Sequence, residues 1–373
     1  MPIQRLMVSQ FRNLLQVDLQ PSPDINLFYG LNGSGKTSLL ESVHLLSLGR
    51  SFRNHKIKPL INTGAQELTV FGRSTDTSIG ISRPRRGDSQ FKVNGKSVGS
   101  LAELTRSLPV LVINSDTFQL VEGGPKERRQ FLDWLVFHVE PNFFWVWKNA
   151  GRCLKQRNAM LRRDRIAYCE FAVWDRELAL QSVKLAEYRL AAFSAFKDAF
   201  LKLVDQFVRV EELTVELDQG WNTESDLRET LKGNFERDSK QGFTGSGFHR
   251  ADIKIKVGAY KAEEVLSRGQ QKLLVCALIL AQCLVFQEAS KKNCTLLVDD
   301  LPSELDEKHQ ELMIEWINKL NCQVFVTGVD VDALYEPWNR TVNRDIKVFH
   351  VERGEIKHKE LQVIADKNAV QPL

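Results

Sequence analysis

A glycine-rich segment near the start of the chain has residue types and spacing suited to binding phosphate groups. Its pattern, G-x-x-x-x-G-K-[ST], brings backbone N–H groups close to the phosphates, places the lysine against the β- and γ-phosphates and offers a hydroxyl to Mg²⁺. Residues 25–29 before it predict a buried strand and residues 38–46 after it predict a helix, which is the context that such a loop requires. We therefore predict that ATP and Mg²⁺ bind here, with Lys36 assisting phosphate transfer and Thr37 holding the metal. The predicted ATP-binding residues are Gly30, Leu31, Asn32, Gly33, Ser34, Gly35, Lys36 and Thr37.

Two adjacent carboxylates supply a second part of such a site. The apolar run 295–298 predicts a buried parallel strand, and Asp299 and Asp300 follow it at once. Ligands of α/β sheets bind at the carboxyl ends of parallel strands. Asp299 is therefore predicted to hold Mg²⁺ through water, and Asp300 to orient the water that attacks the γ-phosphate. Taken alone, paired acids at this position also fit a capped and solvated turn.

A third segment, Leu266-Ser-Arg-Gly-Gln-Gln271, precedes a strongly apolar helical run at residues 272–280. The Ser267 hydroxyl, the backbone N–H groups near Gly269 and the helix N-terminus would meet at one point, an arrangement that binds anions. On local chemistry alone, the same residues also fit an ordinary helix cap. Both interpretations stay open at this point.

The order of these segments along the chain resembles that of the ATPase heads of the ABC and SMC class. The phosphate loop, the Leu-Ser-Arg-Gly-Gln segment, the Asp-Asp strand and Ser303-Glu-Leu-Asp306 follow one another as they do in that class. More closely, the chain resembles the RecF family of bacterial recombination and gap-repair proteins from its first predicted strand to its last. Further runs similar to those of that family are Phe11-Arg-Asn13, Gly49-Arg-Ser-Phe-Arg53, Glu127-Arg-Arg-Gln-Phe-Leu-Asp133 and His249-Arg-Ala-Asp252.

The resemblance implies that residues of one chain complete the ATP site of another. In this class the signature segment, here Ser267, Arg268, Gly269 and Gln270, meets the γ-phosphate bound by the opposite subunit, and Asp306 belongs to the D-loop. One chain carries each half-site once. The expected assembly is therefore an ATP-dependent, isologous homodimer with two ATP molecules at its interface.

Two departures from the wider ABC pattern predict slow hydrolysis. Asp300 replaces the usual Glu, which shortens the reach of the water-orienting carboxylate by one methylene. Thr327-Gly328 occupies the position where many ABC ATPases have Thr-His, so the histidine that senses the γ-phosphate is missing. ATP is expected to act as a switch that holds two heads together until hydrolysis releases them. The expected activity is a weak, DNA-stimulated ATPase, and whether the protein is best described as an enzyme stays open.

The resemblance also names partners: DNA that is single-stranded, gapped or duplex, and the recombination mediators RecO and RecR. It implies a role in loading RecA at gaps, in replication restart and in SOS induction. The net charge of +4 is too small to predict nucleic-acid binding by itself. A helical stripe about 100° wide is more informative, because it could follow a phosphate backbone with little reading of bases. Its residues are Lys148, Arg152, Lys155, Arg162 and Arg163.

Two other basic clusters are also candidates for DNA contact. One occupies residues 50–58 and the other residues 83–96, and a solvated surface is the alternative for each cluster. Their members are Arg50, Arg53, Lys56 and Lys58 in the first cluster, and Arg83, Arg85, Arg86, Lys92 and Lys96 in the second.

Composition and periodicity predict an α/β protein with two lobes. The fraction of hydrophobic residues, 43%, and of charged residues, 26%, is that of a soluble globular protein, and neither a membrane span nor a secretory signal is expected. A cytoplasmic protein with reduced cysteines follows from this interpretation. The predicted fold is an ABC/SMC-like P-loop ATPase head whose halves, residues 1–125 and 246–373, flank an inserted helical lobe at residues 126–245.

Three other classes of protein share part of this pattern. A transporter ATPase subunit has the same ATP motifs, but it usually has fewer residues between phosphate loop and signature, and it carries the switch histidine. A full SMC protein needs a long heptad arm, and the helical stretch here is too short for one. A small-molecule kinase with a phosphate loop has no use for the Leu-Ser-Arg-Gly-Gln segment.

Overall fold

The computed structural model describes residues 2–53, 56, 58–163, 168–301 and 305–359. The chain divides into two compact units, one formed by Met1–Val110 with Thr295–Leu373 and the other by Leu111–Cys294. The boundaries therefore differ from the predicted ones at residues 125 and 246. Residues 246–294 belong with the central unit because the long apolar helix after the signature packs against helices of that unit.

The first unit contains a parallel sheet that carries the phosphate loop and the acidic pair. Five of its strands lie in the order β15-β14-β3-β13-β12, and β14, β3, β13 and β12 are parallel neighbours. Every residue of β12 and β13 is buried, as expected for strands covered on both faces. The strands are β3 (Ile25–Tyr29), β12 (Thr295–Val298), β13 (Gln323–Gly328), β14 (Ile346–Glu352) and β15 (Glu355–Lys359), while β8 (Val110–Ile113) begins at the unit boundary.

An antiparallel sheet completes the strands of the first unit. Its order is β2-β1-β4-β5-β6-β7, and buried residues alternate with exposed or half-buried ones along β4 and β5. The strands are β1 (Arg5–Phe11), β2 (Leu14–Leu19), β4 (Glu67–Arg73), β5 (Ser78–Pro84), β6 (Gln90–Val93) and β7 (Lys96–Ser97). The helices of this unit are α1 (Lys36–Leu48), α2 (Leu101–Ser107), and the helices Glu307–Leu320 and Val331–Thr341.

The second unit is mainly helical and contains one small sheet in the order β11-β10-β9. The longest helix of the predicted helical lobe is α6, and most of its large apolar side chains are buried. The helices are α3 (Gln119–Glu122), α4 (Pro125–Val139), α5 (Phe143–Leu161), α6 (Ala172–Phe207), α7 (Leu227–Gly233), α8 (Phe235–Gln241), α9 (Ala262–Val265) and α10 (Arg268–Ser290). The strands are β9 (Leu213–Asp218), β10 (Asp252–Val257) and β11 (Tyr260–Lys261).

Helix α10 is apolar on nearly all sides because it is a core helix. Among the described residues it is the one helix that is long and apolar enough to cross a membrane, yet 67% of its most apolar window is buried inside the protein. Core helices of soluble proteins commonly pass this test of length and composition. All six cysteines are reduced thiols, and five of them are buried.

Candidate nucleotide site and signature segment

The phosphate loop connects β3 to α1, and the first turn of α1 is prepared for an anion. The N-cap residue, Gly35, makes no side-chain cap, and no acidic residue lies in the first turn. The first N–H groups of a helix have no partner within the helix, and its dipole is positive at this end. Because no side chain caps this helix, its first N–H groups are left to bind a phosphate group.

Two glycines of the loop have conformations and surroundings that exclude a side chain. Gly35 has φ of +123°, and a Cβ atom there would lie 3.0 Å from Leu14 and 3.1 Å from Asn13. Gly30 has φ of +148°, and its Cβ atom would lie 2.2 Å from the carbonyl oxygen of Val351. These positions explain the glycines of the pattern by sterics as well as by approach of the ligand.

Lys36 points back into its own loop. Its Nζ atom donates to the carbonyl oxygens of Gly30 at 2.7 Å and Leu31 at 3.0 Å. Burial lowers the pKa of the Lys36 ammonium, and the charges of Asp300 and Asp299 oppose part of that shift. A bound phosphate would offer this ammonium stronger, charged acceptors than two carbonyl groups.

Thr37 and Asp299, predicted separately from two distant segments, are in direct contact. The Thr37 hydroxyl donates to Asp299 Oδ1 at 3.0 Å, and the Thr327 hydroxyl donates to the same oxygen at 2.7 Å. Oxygen ligands of this kind suit Mg²⁺, which keeps several waters and takes few protein ligands beside phosphates. The donor set therefore fits Mg²⁺ held by Thr37 directly and by Asp299 through water.

Thr327 has a second role that the sequence did not reveal. Its Oγ1 atom accepts a hydrogen bond from the backbone N–H of Asp300 at 2.8 Å. Asp300 has φ of +57°, a left-handed conformation that is uncommon outside glycine. Thr327 thus links both acids at the end of β12 to the end of the neighbouring strand β13.

Asp299 is partly buried, and this burial raises the pKa of its carboxyl group, while hydrogen bonds from Thr327 and Thr37 oppose the shift. The ionised carboxylate consequently costs free energy in the folded protein at neutral pH. This cost would be relieved by a divalent cation close to the carboxylate.

We predict that Asp299→Asn stabilises the nucleotide-free protein and removes most of the stabilisation by Mg²⁺ and ATP. At pH 7 the unfolding temperature of the variant should rise above that of wild type, because the free-energy cost of the ionised carboxylate is removed. The gain should vanish as the pH falls below the ordinary carboxyl pKa, because Asp299 is then protonated in both folded and unfolded states. Thermal unfolding with and without Mg²⁺–ATP measures both effects. Asp76→Asn, at an exposed position of the same unit, is the control, and equal stabilisation of both variants by Mg²⁺–ATP would contradict the metal assignment.

The residues of the candidate nucleotide site line a cavity of about 380 Å³. A cavity of about 520 Å³ is lined by residues of the second unit and contains none of them. Two arginines that we did not predict as nucleotide contacts line the smaller cavity, Arg12 and Arg53. Arg53 also belongs to the basic cluster at residues 50–58, and its place in this cavity puts it within reach of a bound nucleotide. The lining residues are Arg12, Asn13, Asn32, Gly33, Gly35, Lys36, Thr37, Ser38, Arg53, Asp299, Asp300 and Thr327.

Glu41 on α1 contacts Arg12 directly and the segment of Arg53 through Ser51. It is fully buried, accepts a hydrogen bond from Arg12 Nη2 at 2.7 Å and accepts another from the Ser51 hydroxyl. The Ser51 Oγ atom in turn accepts the backbone N–H of Arg53 at 2.9 Å. A buried carboxylate needs such partners.

Asn13 fastens the turn after β1 to the phosphate loop. Its Nδ2 atom donates to the Gly33 carbonyl at 3.2 Å, and its Oδ1 atom accepts from the Ser38 hydroxyl at 2.8 Å. This contact explains why the Phe11-Arg-Asn13 run accompanies the phosphate loop.

The signature segment begins α10 in the second unit with a capping box. Ser267 Oγ accepts the backbone N–H of Gln270 at 3.3 Å, and Gln270 Oε1 accepts the backbone N–H of Ser267 at 2.9 Å. The helix-cap interpretation is therefore confirmed for these side chains. Ser267, Arg268 and Gly269 are all exposed, so they also remain accessible to another molecule.

The remaining sequence-predicted residue of the ATP machinery, Asp306, caps the helix Glu307–Leu320. It accepts the backbone N–H of His309 at 3.0 Å, and this hydrogen bond lowers the pKa of the Asp306 carboxyl group. Asp306 is exposed, whereas Ser303 and Glu304 of the same segment lie outside the described residues.

Three residues of the predicted basic stripe lie on α5, but the helix ends before the other two. Lys148, Arg152 and Lys155 lie on α5 and are exposed. Arg162 is the C-cap and Arg163 lies beyond it, so helical geometry does not place them in the stripe. The helix is shorter than the stripe requires, and contact of these two residues with DNA stays a prediction.

Two arginines of the 83–96 cluster serve the structure of the first unit. Arg83 is buried, donates to the Gly49 carbonyl and lies over the Phe91 ring at 5.1 Å. Arg85 donates to the carbonyl oxygens of Ala65 and Asn62. Arg83 is therefore held inside the unit, while Arg85 is partly exposed and binds these carbonyl groups.

Comparison with known proteins agrees with this site. Residues 2–357 match the family model described as RecF/RecN/SMC N terminal domain. The chain is 48% identical over 361 residues to the DNA replication and repair protein RecF of Cellvibrio japonicus, covering 95% of this chain and 99% of that protein. It is 44% identical to the protein of the same name from Pseudomonas entomophila, covering 95% and 98%.

Solved structures give the same result at the level of the fold. A structure of the recombination mediator protein RecF-ATP in the RecFOR pathway has a TM-score of 0.85 at 25% identity, covering 96% of this chain and 98% of that chain. A structure of RecF-ATPrS in that pathway has a TM-score of 0.83 at 26% identity, covering 95% and 97%. An SMC head bound to a domain of ScpA matches at a TM-score of 0.59 and 17% identity, which supports the fold alone. The chain belongs to the RecF family within the RecF/RecN/SMC N-terminal domain class.

Proposed function

We propose that this protein is an ATP-dependent DNA-binding protein of recombinational repair, in which ATP binding joins two copies on DNA and slow hydrolysis releases them. The observation that carries the proposal is the contact of Thr37 with Asp299 beside an uncapped α1 N-terminus. Relatives named as DNA replication and repair proteins, and an ATP-bound RecF structure, support the biological role.

ATP binding requires Lys36 to exchange its acceptors. The ammonium would leave the carbonyls of Gly30 and Leu31 for the β- and γ-phosphates, while N–H groups of the first turn of α1 contact the same phosphates. Thr37 would hold Mg²⁺ directly and Asp299 would hold it through water, and the metal would neutralise part of the phosphate charge. Arg12 and Arg53 add two further cations to the lining of this cavity.

Dimerisation supplies the second half of each site. The exposed Ser267 and Gly269 of one copy would contact the γ-phosphate held by the other copy, and α10 would direct the positive end of its dipole toward it. Because each chain carries one phosphate loop and one signature, a two-fold arrangement closes two sites at once. Asp306 would lie at the same interface as part of the D-loop.

Slow hydrolysis suits a switch better than a metabolic enzyme. Asp300 has a shorter reach than Glu for orienting water. At Gly328 a Cβ atom would lie 3.2 Å from the Leu334 side chain, which leaves little room for a sensing histidine. The ATP-bound state would then persist long enough for partners to act, and the family relationship favours RecO and RecR in the cytoplasm as those partners.

Molecular mass in solution tests this proposal most directly. Full-length protein is measured by size-exclusion chromatography with light scattering, first without nucleotide, then with Mg²⁺–ATP, and then with Mg²⁺–ATP and a gapped duplex. We expect a monomer without nucleotide, a dimer with Mg²⁺–ATP, and co-elution of that dimer with DNA. A protein that binds ATP yet stays monomeric and free of DNA at low salt would contradict the proposal.

A further inference from the structure

An exposed tryptophan lies on the same face of α5 as the basic stripe. At 100° per residue, Trp145, Lys148, Arg152 and Lys155 fall within about 80° of one another. Trp145 is 61% exposed, which is unusual for a side chain that gains much by burial. The four residues span ten positions, or about 15 Å along the helix.

The charges on this face are uncompensated within α5. The helix contains no Asp or Glu between Phe143 and Leu161. Its remaining arginine, Arg157, is fully buried and paired with Asp175 and Asp238, so it takes no part in the surface. Lys148, Arg152 and Lys155 make no ion pair with another residue in the described part of the chain, which leaves them for an anionic partner.

The ring of Trp145 is held in place without being covered. Lys148 Nζ lies 5.5 Å from the centroid of the ring, and the Phe144 ring meets it edge to face at 5.9 Å. An indole supported in this way resembles the aromatic platforms on which unpaired bases stack beside a row of phosphate-binding cations. A duplex offers no free base face except at its ends, whereas a single strand offers one at every nucleotide.

We propose that this face of α5 binds single-stranded DNA, with phosphates along Lys148, Arg152 and Lys155 and an unpaired base stacked on Trp145. The inference rests on the proposed function and deepens it by naming the form of DNA that the surface prefers. Stacking is tolerant of sequence because each base has an aromatic face, so little base specificity is expected.

The same helix offers a matched control. Trp147 is also exposed, at 45%, but it lies about 120° around α5 from the middle of the stripe. Trp147→Ala removes an exposed indole but keeps Trp145, the indole that is aligned with the cations. Trp145→Phe retains an aromatic face and should retain much of the binding.

Equilibrium binding of the full-length protein with Mg²⁺–ATP tests the inference, using a labelled single strand of mixed sequence and a blunt duplex of the same length. Trp145→Ala should weaken binding of the single strand about 5- to 150-fold, the range for one stacked base, and should change duplex binding little. Trp147→Ala should bind both like wild type. Arg152→Gln with Lys155→Gln should weaken binding of both forms and reduce the slope of log K against log [salt] by about two for duplex and somewhat less for single strand.

The possible failures are distinguishable. Wild-type affinity of Trp145→Ala for the single strand, or an equal loss for Trp147→Ala, would overturn the stacking inference and leave the proposed function standing. A wild-type protein that binds neither form of DNA would overturn both. Thermal unfolding and ATP binding of each variant establish that a loss of DNA affinity is not a loss of folding.

Discussion

Lys36→Met is expected to reduce ATP affinity by at least roughly 100-fold and to abolish ATP-driven dimerisation, since it deletes the only charged donor within the phosphate-loop sequence. Charge-assisted hydrogen bonds to phosphate are about twice as strong as neutral ones, and one such donor at a reacting centre is commonly worth 100-fold or more. Calorimetry of ATP binding measures the first effect, and molecular mass with Mg²⁺–ATP measures the second.

Lys92→Met is the control for this change, because Lys92 is an exposed lysine of β6 in the same unit. It removes the same charge from the unit as a whole and should leave ATP affinity within about twofold. Dimerisation of Lys36→Met at the ATP concentration that suffices for wild type would show that the phosphate loop does not govern assembly.

Ser267→Arg is expected to separate ATP binding from closure of the dimer. Ser267 belongs to the second unit, whereas the phosphate loop, Asp299 and Asp300 belong to the first, so nucleotide binding by the monomer should stay within about threefold of wild type. The larger side chain would occupy the position expected for the γ-phosphate of the opposite copy. Dimer formation and ATP hydrolysis should therefore fall by roughly 100-fold or more.

This substitution also removes a helix cap, which needs its own control. The loss of the cap should cost about 1 kcal/mol of stability. Asp226→Ala removes the N-cap of α7, where Asp226 accepts the backbone N–H of Arg228 at 2.6 Å, and it should reproduce the stability cost without affecting dimerisation. Loss of ATP binding by monomeric Ser267→Arg would place the signature in a site within one chain and contradict the two-chain arrangement.

Local segments of sequence were sufficient to predict most of the nucleotide chemistry. A strand, a glycine-rich loop and a helix are formed by neighbouring residues, so the pattern around Lys36 and Thr37 predicts its own backbone. The apolar run before Asp299 likewise predicts a buried strand, since β-type residues in a short run bounded by polar ones favour that structure. The order of the motifs then indicated the family, which the comparisons confirmed.

Contacts between distant segments could not be predicted from local patterns. One carboxylate oxygen of Asp299 accepts hydrogen bonds from the hydroxyls of Thr37 and Thr327. The parallel order of β3, β13 and β12 brings these three residues together. Arg53 belongs to a basic cluster in the sequence, yet in the structure it lines the nucleotide cavity. Arg157 lies on the same helix as the basic stripe, but it is buried in an internal ion-pair network.

The sequence by itself determined the parts whose chemistry depends on adjacent residues: the phosphate loop, the acidic pair and the cap at Ser267. Only the tertiary structure decided which charges are available and where each helix stops, because burial and chain reversal depend on packing partners far away in the sequence. The basic stripe illustrates both cases. Its helical spacing correctly aligned Lys148, Arg152 and Lys155, while α5 ends at Leu161, before Arg162 and Arg163, and Trp145 is a further exposed residue of that face.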